Sequence, residues 1–261
     1  MMTDTVPDPD RYRAPALDKG LDILELLAST AIGLSQGEIA RQLEKTSSEI
    51  FRMLFVLRQR GYVAQGDNDR YFLTTKMFEI AHRHPPIRRL TAVAGAAMQD
   101  LANRINQSVH LSILQAGRLL VVAQVDCPDY FVTSVRLGAQ IPVCDSASGR
   151  AIAAFLEPDA LTHLMAQVSA QSEDSRSAFL ADLPRVREVG YFEGVSRNIA
   201  GVLDLSAPVF DMNGHVIGAL TTPFIQRFTA EAMPFEAARQ VLVSTCQELS
   251  RRLGAGAAAP D

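Results

Sequence analysis

Leu34–Leu73 reads LSQGEIARQLEKTSSEIFRMLFVLRQRGYVAQGDNDRYFL. It carries two helix-start signals followed by a hairpin signal. Ser35 stands three residues before Glu38, and Thr46 three before Glu49. Each hydroxyl can therefore cap a helix whose Glu returns a hydrogen bond to the cap's backbone amide. Two capping boxes this close imply two short helices and a tight turn. Ile39 and Leu43 share a face of the first helix, and Ile50, Leu54 and Leu57 a face of the second, which makes a small core. After Gly61, a helix terminator, YVAQ and RYFL flank the turn sequence GDND, which ends at Arg70. The pattern is that of a winged helix-turn-helix.

DNA is the partner that this pattern suggests. Ser47, Ser48, Phe51, Arg52 and Phe55 are not committed to the core and lie toward the start of the second helix, where a recognition helix meets base edges. Arg52 is the best single candidate, and Ser35, Gln36, Lys45 and a basic wing tip at Arg70 are the expected supporting contacts. Charge favours this over a helical subdomain that meets no nucleic acid. Residues 11–90 carry a net +4 and residues 91–261 a net −5, with three more Asp in the first ten positions. Phosphate contact depends on such local charge rather than on the net −4.

A chain of 261 residues accommodates one small and one medium domain. There is no apolar run of the ~18 residues a membrane span needs and no basic start followed by a hydrophobic stretch, so a cytoplasmic location with no membrane partner is expected. Cys127, Cys144 and Cys246 are too few and too scattered for a disulfide framework or zinc ribbon. Residues 1–13 and 254–261 lack periodicity and read as disordered. Leu17, Leu21, Leu24 and Leu27 or Ile23 recur at helical spacing and give a first helix, which completes a module over 14–84. TTKMFEIAHRH reads as a short helix stopped by Pro85 and Pro86. The linker helix over 85–106 follows, and its Ala92, Ala94, Gly95, Ala96 and Ala97 suit close packing and a dimer contact.

From Ser108 the period changes to two. SVHLSILQ, LLVVAQV and YFVTSVRL read as an antiparallel meander, and NIAGVLDLSAPVF and HVIGALTTPF as a hairpin across DMNG. Helical stretches near 146–155, 158–168 and 177–189 lie between the two sets, and a final helix runs from about Thr229 to Leu253. The fold class is mixed α/β: a winged helix-turn-helix, a linker helix, and an α+β, GAF-like domain with an antiparallel sheet over 107–253.

ALDKGLDILELL, LSQGEIARQL, SSEIFRMLFVLRQRGYV, RYFLTTKMFEIA, VHLSIL, SVRLGAQIPVCDSASGRAIAAFL, REVGYF and GVLDLSAPVFDMNGHVIGAL, in this order, resemble the IclR family of bacterial transcriptional regulators over nearly the whole chain. The resemblance implies a dimer or dimer of dimers on a palindromic operator, answering to a small organic metabolite. It assigns recognition-helix positions to Ser47, Ser48 and Arg52, with Glu49 where Thr is more usual. In the effector domain it implies a pocket that uses the amides of Ala147 and Ser148, with Asp204 at a Cys position, Thr221 at a Ser position and Pro223 at a second Ser position.

The residues carry their own chemistry. DSASGR starts a helix after Pro142, with Ser146 at its head, and the free amides there favour an anionic ligand group. Asp204 would repel a carboxylate and attract a hydroxyl, amine or cation, with Arg136 either its counter-charge or a ligand contact. The expected effector is therefore two-ended: a hydroxy acid, sugar acid or phenolic acid. The bland reading, in which Asp204 pairs with a nearby Arg or a turn amide, stays open. His110 can face the same pocket, but two donors do not make a metal site, and no metal or other cofactor is expected. Two other classes compete, a serine-hydrolase-like enzyme and a metabolite-binding sensor or scaffold, in either of which the helix-turn-helix would be only an interaction module. SASGR lacks the GxSxG elbow, and no catalytic residue is nominated.

Overall fold

In a computed structural model the described residues are 14–66, 68–83, 85–227 and 233–256. The chain divides into two compact units at Pro85/Pro86. The expected disorder of residues 1–13 and 257–261 falls outside the described residues.

The first unit runs α1 (Pro15–Ala28), β1 (Leu34–Ser35), α2 (Gln36–Gln42), α3 (Ser47–Gln59), β2 (Val63–Gln65), β3 (Arg70–Leu73) and α4 (Lys76–Arg83). Both capping boxes form, at Ser35/Glu38 and Thr46/Glu49. The wing is a three-stranded sheet in the order β1-β3-β2, because Leu34 and Ser35 add a short strand that alternation over two residues could not reveal. Ile23, Leu27, Ile39, Ile50, Leu54, Val63 and Tyr71 make the core. The Leu17/Leu21 stripe is not the buried face of α1. Both leucines are exposed, and Gly20, Ile23 and Leu27 face inward. This helix has apolar residues on two sides, so periodicity alone could not choose between them.

The second unit continues with α5 (Pro85–Ile105), β4 (Val109–Gln115), β5 (Arg118–Val125), β6 (Gln140–Pro142), α6 (Ala147–Ala153), α7 (Pro158–Gln167), α8 (Glu173–Val189), β7 (Phe192–Val195), β8 (Leu203–Phe210), β9 (Val216–Phe224) and α9 (Phe235–Arg252). α4 ends at Arg83, just before Pro85 and Pro86 as expected, and the two prolines open α5, whose first turn has no amide partners to lose. The antiparallel sheet has the order β6-β5-β4-β9-β8-β7. Among the described residues no helix is long and apolar enough to cross a membrane.

YFVTSVRL is not a strand. It lies in a long loop held by the Cys127 amide on Ser108 Oγ at 3.1 Å and by Arg227 on the Phe131 carbonyl at 3.1 Å. A turn at Gly138 then brings β6 onto β5. The described part of the last helix begins at Phe235, with Pro234 as its cap, and the expected start at Thr229 lies outside the described residues. The strand β7 is one that alternation does not announce, since FEGV has none to offer.

The two faces of the sheet differ. Leu111, Leu205, Ala207 and Leu220 pack with Met98, Leu101 and Ile105 of α5 and with Leu242, Cys246 and Leu249 of α9. Leu119 and Ala219 pack on the other side with Ala151 and Ile152 of α6, Leu164 of α7, and Phe179 and Val186 of α8. Strand alternation then sends Asp204, Ser206 and Thr221 toward α6.

Candidate functional sites

In the first unit the turn between α2 and α3 is locked by local bonds. Gln36 Nε2 donates to the Ser47 carbonyl at 2.9 Å, and the Ser35 hydroxyl accepts from the Glu38 amide. Gln36 thus helps to position α3, while Ser35 caps α2. Both oxygens of Glu49 are also occupied: Oε1 takes Lys19 Nζ at 2.5 Å, and Oε2 takes the Thr46 amide and hydroxyl at 3.0 and 2.7 Å. The Lys19 ammonium, with the Thr46 donors, lowers the Glu49 pKa to about 2. Ser47, Ser48, Phe51, Arg52 and Phe55 stand exposed on α3, and Lys45 is exposed just before it.

Arg70 is not a basic wing tip. It sits at the start of β3, donates to the Gly33 carbonyl at 2.9 Å and pairs with Glu38 at 3.1 Å. Its ladder position opposite Ser35 turns the guanidinium toward the α2 cap. The wing is instead tied to α3 by a chain that spacing could not disclose: Arg58 donates to Gln65 at 2.5 Å, and Gln65 to Asp69 at 3.0 Å. Between α3 and the wing lies an open groove of about 460 Å³ lined by Gln36, Phe51, Phe55, Arg58, Gln65 and Tyr71.

In the second unit Ser146 caps α6. Its Oγ accepts from the Gly149 amide at 3.0 Å and donates to the Val143 carbonyl. Any Cβ at Gly149 would sit 2.1 Å from that carbonyl, which fixes glycine there. All seven residues of α6 are buried. Ser148 and Thr221 share a 2.7 Å hydrogen bond, and Thr221 and Ser206 another of 2.7 Å. Register places His110, Thr221 and Ser206 side by side on β4, β9 and β8. His110 is buried, and burial lowers its pKa to about 4, so the ring is neutral at pH 7. The Ser112 hydroxyl, two residues along β4, is buried and has no hydrogen-bond partner among the described residues.

Asp204 is half-buried beside a polar cavity of about 230 Å³ shared with Ala147, with Arg150, Arg185 and Arg197, and with the carboxylates of Asp145, Asp182 and Glu193. Burial raises its carboxyl pKa, against the pull of the Ser196 hydroxyl and of Arg150. The arginine that faces it is Arg150 and not Arg136, which is exposed in the turn before Gly138. Arg150 is buried, bonded to Asp182 at 2.7 Å and to the Ser146 carbonyl at 3.1 Å, with its guanidinium near the rings of Phe179 and Phe192. DSASGR contains Arg150, yet nothing local signals Asp182, 32 residues later. His110 and Asp204 do not make a pair, because β9 runs between their strands, which separates them by about 10 Å. Among the described residues no three His, Cys, Asp or Glu side chains form a metal-binding group.

Two family models match the chain: the IclR helix-turn-helix domain over residues 16–67, and the bacterial transcriptional regulator IclR C-terminal domain over 87–251. The HTH-type transcriptional regulator KdgR of Escherichia coli is 27% identical over 224 residues, covering 83% of this chain and 84% of KdgR. The glycerol operon regulatory protein of Streptomyces coelicolor is 27% identical over 256 residues, 92% of this chain and 97% of the relative. An IclR homologue from Microbacterium hydrocarbonoxydans, solved with 4-hydroxybenzoate, shares the fold at a TM-score of 0.77 with 19% identity, covering 91% of this chain and 98% of that one. The chain belongs to the IclR family of bacterial transcriptional regulators, with a helix-turn-helix domain joined to an effector-binding domain.

Proposed function

We propose that this regulator binds a palindromic operator as a homodimer or tetramer and releases or tightens it in response to a small organic acid that carries a hydrogen-bond donor at its far end. Residues 14–84 act as the DNA-binding domain, 85–106 as the linker and 107–253 as the effector domain. Ser47, Ser48, Phe51 and Arg52 meet base edges, and Lys45 a phosphate. The exposed Leu17 and Leu21 of α1, and the exposed Ala92, Gly95 and Ala96 of α5, are surfaces that suit self-association.

The observation that carries the effector reading is Asp204: a carboxyl that burial destabilises, opening into a cavity shared with the buried Arg150. A charged group costs less there once a ligand donor meets it. The acidic end then lies by Ala147 and Ser148, with Arg150 supplying the positive field. On β4, His110 offers a buried neutral ring and Ser112 a buried hydroxyl with bonding capacity left over. Relatives at 27% identity do not carry a ligand over to this chain, so the ligand has to be read from this pocket. The 4-hydroxybenzoate held by the Microbacterium homologue has the two-ended form proposed here.

The test is a thermal-shift screen of the full-length protein against hydroxy acids, sugar acids, phenolic acids and neutral polyols. A ligand at 100 times its Kd adds roughly 2.7 kcal/mol. Hits confined to two-ended acids and weakened in Asp204→Ala are expected. Equal affinity in the variant, or hits among neutral polyols alone, would overturn the assignment.

A further inference from the structure

The core of the first unit uses Ile50, Leu54 and Leu57 of α3 and leaves Phe51 and Phe55 outside, 54% and 51% exposed. Both rings line the groove beside the wing and are outside that core. Phe51 and Phe55 are one turn apart and continue the row begun by Ser47 and Ser48, with Arg52 between them. This is the face that a recognition helix turns into the major groove.

What that face can read is restricted. Glu49 has little left to offer a cytosine amino group, because Lys19 and the Thr46 amide and hydroxyl fill three of the roughly four acceptor sites of its carboxylate and hold it against α1 and the cap. Arg52 has no ion-pair partner among the described residues and is matched in geometry to the O6 and N7 acceptors of guanine. The two phenyl rings have no hydrogen-bonding group. The only apolar feature that an unmodified base pair presents in the major groove is the thymine C5 methyl. Four residues of helix advance about 6 Å, close to two base-pair steps, so both rings can each cover a methyl within one half-site.

We propose that Phe51 and Phe55 read thymine methyl groups, so that each half-site pairs a guanine at Arg52 with thymines held by apolar contact. This rests on the DNA-binding role of α3 given above and adds the base identity. A protein partner seated on the same rings would bury Arg52 with them, and the continuity of both rings with the polar contact row favours DNA as the occupant.

The experiment uses the full-length chain to select duplexes from a randomised pool. The selected duplex is then resynthesised with deoxyuridine at each fixed thymine, which removes a methyl and changes no hydrogen bond. Affinity should fall roughly fourfold per contacted methyl. Phe51→Ala and Phe55→Ala should bind the thymine duplex more weakly and lose the thymine-to-uracil difference, with melting temperatures lowered only slightly because both side chains are outside the core and half exposed. Equal binding of thymine and uracil duplexes by the parent protein would overturn the methyl contact while leaving DNA binding intact. Failure to enrich any duplex would overturn the DNA reading itself, and this inference with it. The substitution on the DNA side keeps the test valid even if a Phe variant misfolds.

Discussion

The two helices proposed above to meet DNA and effector solve opposite problems. α3 spends its capping residues on itself, with Thr46 and Glu49 satisfying the first turn, and thereby presents an outer face free of internal bonds. α6 is capped in a similar way by Ser146, yet every one of its residues is buried, and its polar groups are bonded to strands and helices distant in sequence. A surface reader can be specified locally because its ligand supplies the partners. A buried sensor is assembled from long-range contacts, and its polar groups must be satisfied before a ligand arrives.

The largest expected effect tests the buried side of this contrast. Arg150→Ala should remove a guanidinium held by Asp182, the Ser146 carbonyl and two aromatic rings, and leave a void in the α6 layer. A loss of about 3–5 kcal/mol is expected, the range for truncating a large buried side chain, since the Asp182 left behind is partly exposed and can turn to water. Denaturant unfolding of the full chain measures it. A loss below ~1 kcal/mol would mean that Arg150 serves the ligand rather than the fold.

His110 gives the next effect, and its sign is fixed. The folded pKa of about 4 lies below the ordinary value of 6.5, so between these pH values the unfolded chain binds more protons and stability falls as pH falls. The drop is on the order of 3 kcal/mol across that window. His110→Gln should flatten the melting temperature between pH 6.5 and 4. An unchanged acid slope would assign the loss to other groups.

On the exposed side, Arg52→Ala should weaken operator binding by roughly 1–3 kcal/mol and relax the preference at one base position. Its melting temperature should stay within experimental scatter, since the side chain packs against nothing in the core. Parallel binding isotherms and melts separate the two. A large melting shift would erase the distinction between α3 and α6.

This difference also decided what could be read from the residues alone. Both capping boxes, the wing and the DMNG hairpin were legible because each lies within a few residues of its own partners. Arg70 misled for the reason that makes α6 opaque. Its partners, Gly33 and Glu38, are 37 and 32 residues away, and only the β1–β3 pairing brings them within reach. The Ser148–Thr221–Ser206 chain and the Arg150–Asp182 bond follow the same rule. YFVTSVRL carries strand-forming residues, but β6 occupies the edge of the sheet that it would have needed.

The smallest effect probes whether α3 is as independent as this contrast requires. Glu49 joins it to α1 through Lys19, so part of the position of the recognition helix depends on an ion pair. The folded pKa of about 2 lies below the ordinary value of 4.5; the contribution is fully present above pH 4.5 and is lost as pH falls toward 2. The pair is exposed to salt and should add little at physiological ionic strength. Glu49→Gln keeps an acceptor for the Thr46 amide and removes only the charge. Its melting temperature should therefore trail that of the parent slightly at neutral pH and low salt, and the two should converge at high salt or as pH falls toward 2. Operator affinity should hardly change if the capping bond alone sets α3. If affinity drops while the melt does not, Lys19 and Glu49 set the angle at which α3 enters the groove, and the reader depends on a contact 30 residues distant in sequence.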